Sequence, residues 1–268
     1  MPELTTPSGL TLHYDDAGAG RPLLFLHGWA MSGRVWRFQQ PLSDRYRLVF
    51  LDQRGHGQSS AGAGYTVDDY AGDLADFLER MELEGVVLIG WSMGVQVALQ
   101  AFPAIRARLA ALVLVGGTPR FTTAEVYPHG QAPVEVKGMG VRLRRDYGKT
   151  MGEFFRGMFA EGEMESAHYQ RIVHEIVIGG HSPDQQAARE SLKILSTVDQ
   201  RELLPRIDRP VLLVHGDRDL ICPASASAYM AKRLPMGTLE VMQGCGHAPF
   251  MTRPERFNEL VRAFLGRL

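Results

Sequence analysis

The chain has 268 residues, 45% of them hydrophobic and 22% charged, with a formal net charge of -1. This is an ordinary soluble globular mix, long enough for one large α/β domain carrying an insertion. The charge balance gives no whole-molecule attraction for nucleic acid or a membrane surface, and no apolar run approaches the roughly 20 residues that cross a bilayer. The opening stretch MPELTTPSGLTLHYDD carries acids and lacks the apolar core of a signal peptide. Cys222 and Cys245 match neither a metal pattern nor a disulfide framework. Free thiols in a reducing cytoplasm are therefore expected.

Six short apolar runs punctuate the chain, at residues 23–26, 48–51, 86–89, 112–115, 211–214 and 238–242, each closed by glycine or a turn. Such runs, apolar on both faces, read as buried strands of a parallel sheet. After the second run, Arg54-Gly55-His56-Gly57-Gln58-Ser59 reads as a tight surface turn with no chemistry. Then Tyr70, Leu74, Phe77, Leu78 and Met81 fall on one helical face, with Thr66 as N-cap and Asp69 at the third position. The third run leads through Gly90-Trp91-Ser92-Met93-Gly94 into a helix over 95–102. Phe257, Leu260, Val261, Phe264 and Leu265 form a closing amphipathic helix. Strands alternating with helices predict an α/β fold with a mostly parallel, doubly wound sheet.

Between about Pro119 and Pro205 the alternation stops, and the pattern is helical at 152–159, 169–178 and 185–195. A helical insertion between strands of a parallel sheet stands over their carboxyl ends, where ligands bind. The expected division is a core from 1–118 and 206–268, with a helical lid over 119–205.

G-x-S-x-G alone is a weak signal, since residue frequencies give roughly 0.1–0.2 chance occurrences in a chain like this. Its setting is stronger: Val86-Val87-Leu88-Ile89 is a strand, and Val95-Gln96-Val97-Ala98-Leu99 opens a helix. A strand, sharp turn and helix hold a serine hydroxyl exposed on strained backbone, as in the α/β-hydrolase fold. The glycines at 90 and 94 are required because side chains there would collide across the turn. The plainer alternative is a serine that only caps a helix.

A serine needs a base to take its proton, and the base needs a carboxylate to fix its tautomer. In this fold the partners follow in the order Ser, acid, His. After the run at 211–214 come His215-Gly216-Asp217-Arg218-Asp219. Asp219, three residues past the glycine and four before Pro223, is the expected acid; Asp217 reads as a solvated turn residue. His247 lies in the loop Gly244-Cys245-Gly246-His247-Ala248-Pro249 after the last run and is the expected base. His13, His129, His168, His174 and His181 lack such a context and read as surface or lid residues. Backbone N–H groups must hold the oxyanion. The expected donors are the Met93 amide and the Trp29 amide in His27-Gly28-Trp29, with His27 pinning that loop. There is no HExxH, CxxC pair, P-loop lysine motif or GxGxxG opening a helix, and the mechanism needs no metal or cofactor.

With these residues placed, the chain resembles the α/β-hydrolase family around pimeloyl-[acyl-carrier-protein] methyl ester esterase (BioH). The resemblance rests on Leu26-His27-Gly28-Trp29 with Val35-Trp36, on Gly90-Trp91-Ser92, on Leu192-Lys193-Ile194-Leu195-Ser196-Thr197-Val198-Asp199, and on Gly246-His247-Ala248-Pro249-Phe250. It implies a Ser92, Asp219, His247 triad and an acyl site lined by Trp29, Ser92, Met93, Phe154, Phe155 and Met158. It also implies a short-to-medium carboxylic ester as substrate, in the setting of biotin biosynthesis. Two departures stand out. Asp52-Gln53-Arg54-Gly55-His56-Gly57 is closer to general esterases, lactonases and perhydrolases, and Val95 stands where glycine is common.

From 137 to 156 there are six basic residues (Lys137, Arg142, Arg144, Arg145, Lys149, Arg156) against two acidic ones, Asp146 and Glu153. Acyl carrier proteins are acidic, so this face suits docking one by electrostatic steering. The plainer alternative is a solvated helix face, since Glu161, Glu163 and Glu165 follow. The expected activity is carboxylic ester hydrolysis through an acyl-enzyme. The alternatives are a lactonase or perhydrolase with the same triad, or a non-catalytic ligand receptor on the same fold.

Overall fold

The computed structural model describes residues 2–181 and 183–268. Among them eight strands form one sheet: β1 (Glu3–Thr5), β2 (Thr11–Ala17), β3 (Pro22–Leu26), β4 (Arg47–Leu51), β5 (Val86–Trp91), β6 (Leu109–Val115), β7 (Val211–Gly216) and β8 (Gly237–Met242). Their spatial order is β1-β2-β4-β3-β5-β6-β7-β8. The β1–β2 and β2–β4 pairings are antiparallel, and all those from β4 to β8 are parallel. The helices are α1 (Val67–Arg80), α2 (Met93–Ile105), α3 (Pro133–Arg145), α4 (Tyr147–Gly157), α5 (Ser166–Ile172), α6 (Gln185–Thr197), α7 (Ala224–Ala231), α8 (Pro249–Thr252) and α9 (Pro254–Leu265).

The central strands are apolar on both faces because both faces are covered. Leu24, Leu26, Leu88, Leu112 and Leu213 join one buried cluster, together with Tyr70, Leu74 and Phe77 of α1 and Val97 and Leu99 of α2. Their alternating neighbours Leu23, Phe25, Val87, Ile89 and Leu212 join the other, with Trp36, Phe257, Val261 and Phe264. Each such buried side chain contributes about 1.5–3 kcal/mol relative to exposure. The start of α1 is fixed by a reciprocal cap, Asp69 N–H donating to Thr66 Oγ1 at 3.2 Å and Thr66 N–H to Asp69 Oδ2 at 2.8 Å.

The strand order places the site. β3 is flanked by β4 on one side and β5 on the other, so the connections leaving β3 and β5 diverge and open a crevice at their carboxyl ends. Helices α3 to α6 lie between β6 and β7, α5 continuing into a π-helical turn, Val173–Ile178. Among the bonds that tie this segment to the loops after the strands, Trp29 Nε1–H donates to Ala188 O at 2.8 Å, and His247 N–H donates to Met158 O at 2.7 Å.

Several expectations are corrected. Residues 54–59 are not a surface turn: Arg54, His56 and Ser59 are buried. The reason is the Asp52 carboxylate, which collects the amides of Gly33 (2.7 Å) and Gln58 (2.9 Å) and the His13 ring (3.1 Å), folding the loop inward. His13 is accordingly buried rather than at the surface. The last strand, β8, is a sheet edge in which Met242 alone is buried. The antiparallel β1 and β2 and helix α3 were not expected. His174 and His181 are exposed, and His129 and His168 half-buried.

Candidate active site

Ser92 follows the last residue of β5 with φ 55° and ψ -116°, a left-handed backbone that non-glycine residues rarely adopt. The turn is held because Ser92 N–H donates to Val115 O of the adjacent strand and Val95 N–H donates to Ser92 O, both at 3.0 Å. A Cβ at position 90 would lie 2.6 Å from Gly94 O, and one at 94 would lie 2.6 Å from Leu26 O. Only glycine at both places lets the turn close against β3. Met93 opens α2, so its amide has no intrahelical acceptor.

The loop after β3 lies against this turn. A Cβ on Gly28 would sit 3.1 Å from Ser92 Cβ and 3.0 Å from the Trp91 ring. His27 is fully buried and pins the loop: Gln53 N–H donates to its Nε2 at 3.0 Å, which leaves Nδ1 protonated to donate to Gly28 O at 2.8 Å. Burial pushes the His27 imidazole below its usual range, in keeping with this neutral tautomer.

Asp219 and His247, 28 residues apart, meet at the carboxyl end of β7. His247 Nδ1–H donates to Asp219 Oδ2 at 2.7 Å, with both side chains buried. The other carboxylate oxygen accepts the amides of Ile221 (2.8 Å) and Cys222 (2.9 Å). Burial opposes a charge here, but the facing imidazoles of His247 and His215 overcome it and hold the carboxyl below its ordinary range. Asp217, by contrast, is exposed and accepts the Gly244 amide at 2.6 Å.

His247 sits over the residue preceding Ser92. Its ring centroid is 5.3 Å from that of Trp91, and its carbonyl accepts the Trp91 indole N–H at 2.9 Å. Its Nε2 is buried and has no hydrogen-bond partner among the described residues. The imidazole is thus oriented at Nδ1 by a carboxylate and left without a partner at Nε2, while its ring packs on Trp91, the residue before Ser92.

The residues expected to line an acyl site come from the loop after β3, the Ser92 turn, α2 and the end of α4. Trp29 is buried with the half-buried Phe154 packed edge-on against it, ring centroids 4.9 Å apart. Met93, Phe155 and Met158 are buried. A cavity of about 430 Å³ begins at Ala30 and Met31, directly after Trp29, and runs between Met151, Phe155, Tyr169 and Ile176. It has the size of a small-molecule site; its walls are mainly apolar, with Ser32, Arg156 and His181 among them, and neither Ser92 nor His247 lines it. Sequence reasoning missed this wall from the π-helical turn, and it missed His215, which contacts Asp219 from β7.

Residues 21–254 match the alpha/beta hydrolase fold family. The chain is similar to the pimeloyl-[acyl-carrier protein] methyl ester esterase of Nitrosomonas europaea, 35% identical over 248 residues that cover 92% of this chain and 96% of that protein. It is 32% identical to the enzyme of the same name from Aeromonas salmonicida, over 93% of this chain and 97% of the other. Among solved structures, an esterase from Exiguobacterium antarcticum superposes with a TM-score of 0.91 at 27% identity, covering 98% of both chains. With a serine turn, a carboxylate–imidazole pair and these relatives in hand, the chain belongs to the alpha/beta hydrolase fold family.

Proposed function

We propose that this ester hydrolase works through Ser92, His247 and Asp219, and that its substrate is a pimeloyl-carrier-protein methyl ester or a related short-to-medium acyl ester. Ser92 Oγ attacks the ester carbonyl while His247 Nε2 takes its proton; Asp219 fixes the imidazole tautomer and stabilises the imidazolium. The amides of Trp29 and Met93 hold the oxyanion, each donor contributing about 10²–10³ in rate. His247 then protonates the departing alkoxide, and water, deprotonated by the same imidazole, releases the acid and restores the serine. The carrying observation is the buried Asp219–His247 hydrogen bond with the open Nε2 beside the Ser92 turn. The chain's own residues complete this cycle without a metal or cofactor.

The substrate rests on the names of the relatives and on the face of α3 and α4, here read as part of a lid over 119–205. Lys137, Arg142, Arg144, Arg145, Lys149 and Arg156 are all exposed. Among the described residues none of the six is in an ion pair, so their charge is free to steer an acidic carrier. The test is the triple variant Arg142→Glu, Arg144→Glu, Arg145→Glu, assayed on the carrier-linked methyl ester and on a p-nitrophenyl ester. A fall in kcat/KM on the first with the second unchanged supports carrier docking; equal effects on both contradict it.

A further inference from the structure

We propose that His215 is a positioning residue for hydrolysis, a second imidazole that aims the Asp219 carboxylate at His247. This rests on the triad reading above. His215 is fully buried near the end of β7. Its Nε2 lies 2.7 Å from Cys222 O and 3.1 Å from Asp219 Oδ2, and its Nδ1 lies 2.6 Å from Ser227 Oγ of α7. A carbonyl oxygen only accepts, so Nε2 carries a proton, which it donates to Cys222 O while the same edge of the ring lies against Asp219 Oδ2 as a close electrostatic contact. The Ser227 hydroxyl then donates to the bare Nδ1 and fixes the ring's plane.

The consequence is a carboxylate held from every side. Oδ1 takes the amides of Ile221 and Cys222, and Oδ2 takes the His247 N–H with the His215 ring nitrogen packed 3.1 Å away. An aliphatic residue at 215 would fill the same volume between β7 and α7, but would leave Oδ2 with His247 alone. The titratable groups facing Asp219 are His247, His215 and the Cys222 thiol, with Tyr127 beyond Cys222. His215 also draws electron density from the oxygen that stabilises the His247 imidazolium. Removing it therefore misorients the pair and strengthens the His247 proton's hold.

The test compares His215→Phe, His215→Gln and His215→Asn by kcat, KM and pH–rate profile on a p-nitrophenyl ester. His215→Phe is expected to lower kcat by about 10- to 100-fold, the size typical of an outer-shell orienting partner, with KM unchanged and the acid limb of kcat/KM moved to higher pH. The longer Gln amide reaches Oδ2 and recovers most of kcat; the shorter Asn does not. A folded His215→Phe enzyme with kcat within about twofold of the parent and a superimposable profile overturns the proposal. If that variant does not fold, equal kcat for Gln and Asn overturns it. Ser92→Ala is run alongside. Turnover retained by Ser92→Ala removes the triad reading and this one with it. An inactive Ser92→Ala enzyme with a normal His215→Phe enzyme removes only the role of His215.

Discussion

Replacing Gly28 by alanine tests how closely the loop after β3 must approach Ser92. The new Cβ would stand 3.0 Å and 3.2 Å from Trp91 ring carbons and 3.1 Å from Ser92 Cβ, against 3.4–4 Å for ordinary contact. Each neighbour must therefore yield by a few tenths of an ångström. Trp91 has no room to retreat: it is 1% exposed, its ring packs edge-on against Phe250 at 5.1 Å, and its N–H is held by His247 O. The displacement then falls on Ser92, the proposed nucleophile, or on the Trp29 amide, the proposed oxyanion donor. Removing one oxyanion donor costs about 10²–10³ in kcat, and a partial misplacement about 10- to 100-fold. Overpacking costs about 1–3 kcal/mol in stability. Steady-state hydrolysis of p-nitrophenyl butyrate with urea unfolding measures both. A Gly28→Ala enzyme with kcat within about twofold of the parent would refute this account of the crevice.

Three further outcomes follow from the buried polar groups and the packing. His56 is fully buried and burial holds its pKa down at about 3; the unfolded imidazole titrates near 6.5, so between those values only the unfolded chain binds this proton. The His56 contribution to stability therefore falls as pH drops below 6.5, by about 1.4 kcal/mol per pH unit. His27 acts with the same sign, while His13, raised by Asp52, contributes below 6.5 and loses that contribution as pH rises. Urea unfolding of His56→Phe between pH 6 and 4 is expected to show a slope shallower by about one proton, and an unchanged slope refutes the assignment. Arg54 and Asp73 form a buried bidentate pair, at 2.5 and 2.6 Å. Arg54→Met should therefore cost about 3–5 kcal/mol and Arg54→Met with Asp73→Leu much less, whereas equal costs contradict the pairing. A Cβ on Gly117 would collide with the whole isopropyl head of Val95. Gly117→Ala should lower the melting temperature and the added Val95→Gly should restore part of it; additive losses would contradict that contact.

What the sequence disclosed was local. The central strands and α1 carry their signals within a few residues: aliphatic runs buried on both faces, and a Thr66–Asp69 cap. β2 did offer a period-2 cue in Leu10, Leu12 and Tyr14, but its neighbour β1 is three residues long and has no pattern of its own. α3 was obscured because Val136 and Leu143 are its only fully buried residues and its last turn is basic. The burial of Arg54, His56 and Ser59 depends on Asp52 and Asp73, pairings that spacing does not reveal. His215 did leave a trace, since an imidazole beside an aliphatic run must find partners when buried. The Ser92 turn, Asp219 and His247 stood out because each lies beside a strand end, and strand ends are what the apolar runs mark best.

The central claim, that Ser92 is the nucleophile, is tested most directly by treating the folded protein with a fluorophosphonate and mapping the adduct by peptide mass spectrometry. The account predicts one adduct, on Ser92, absent from Ser92→Ala and formed far more slowly in His247→Ala. No adduct on folded protein, or an adduct on a different residue, would contradict it.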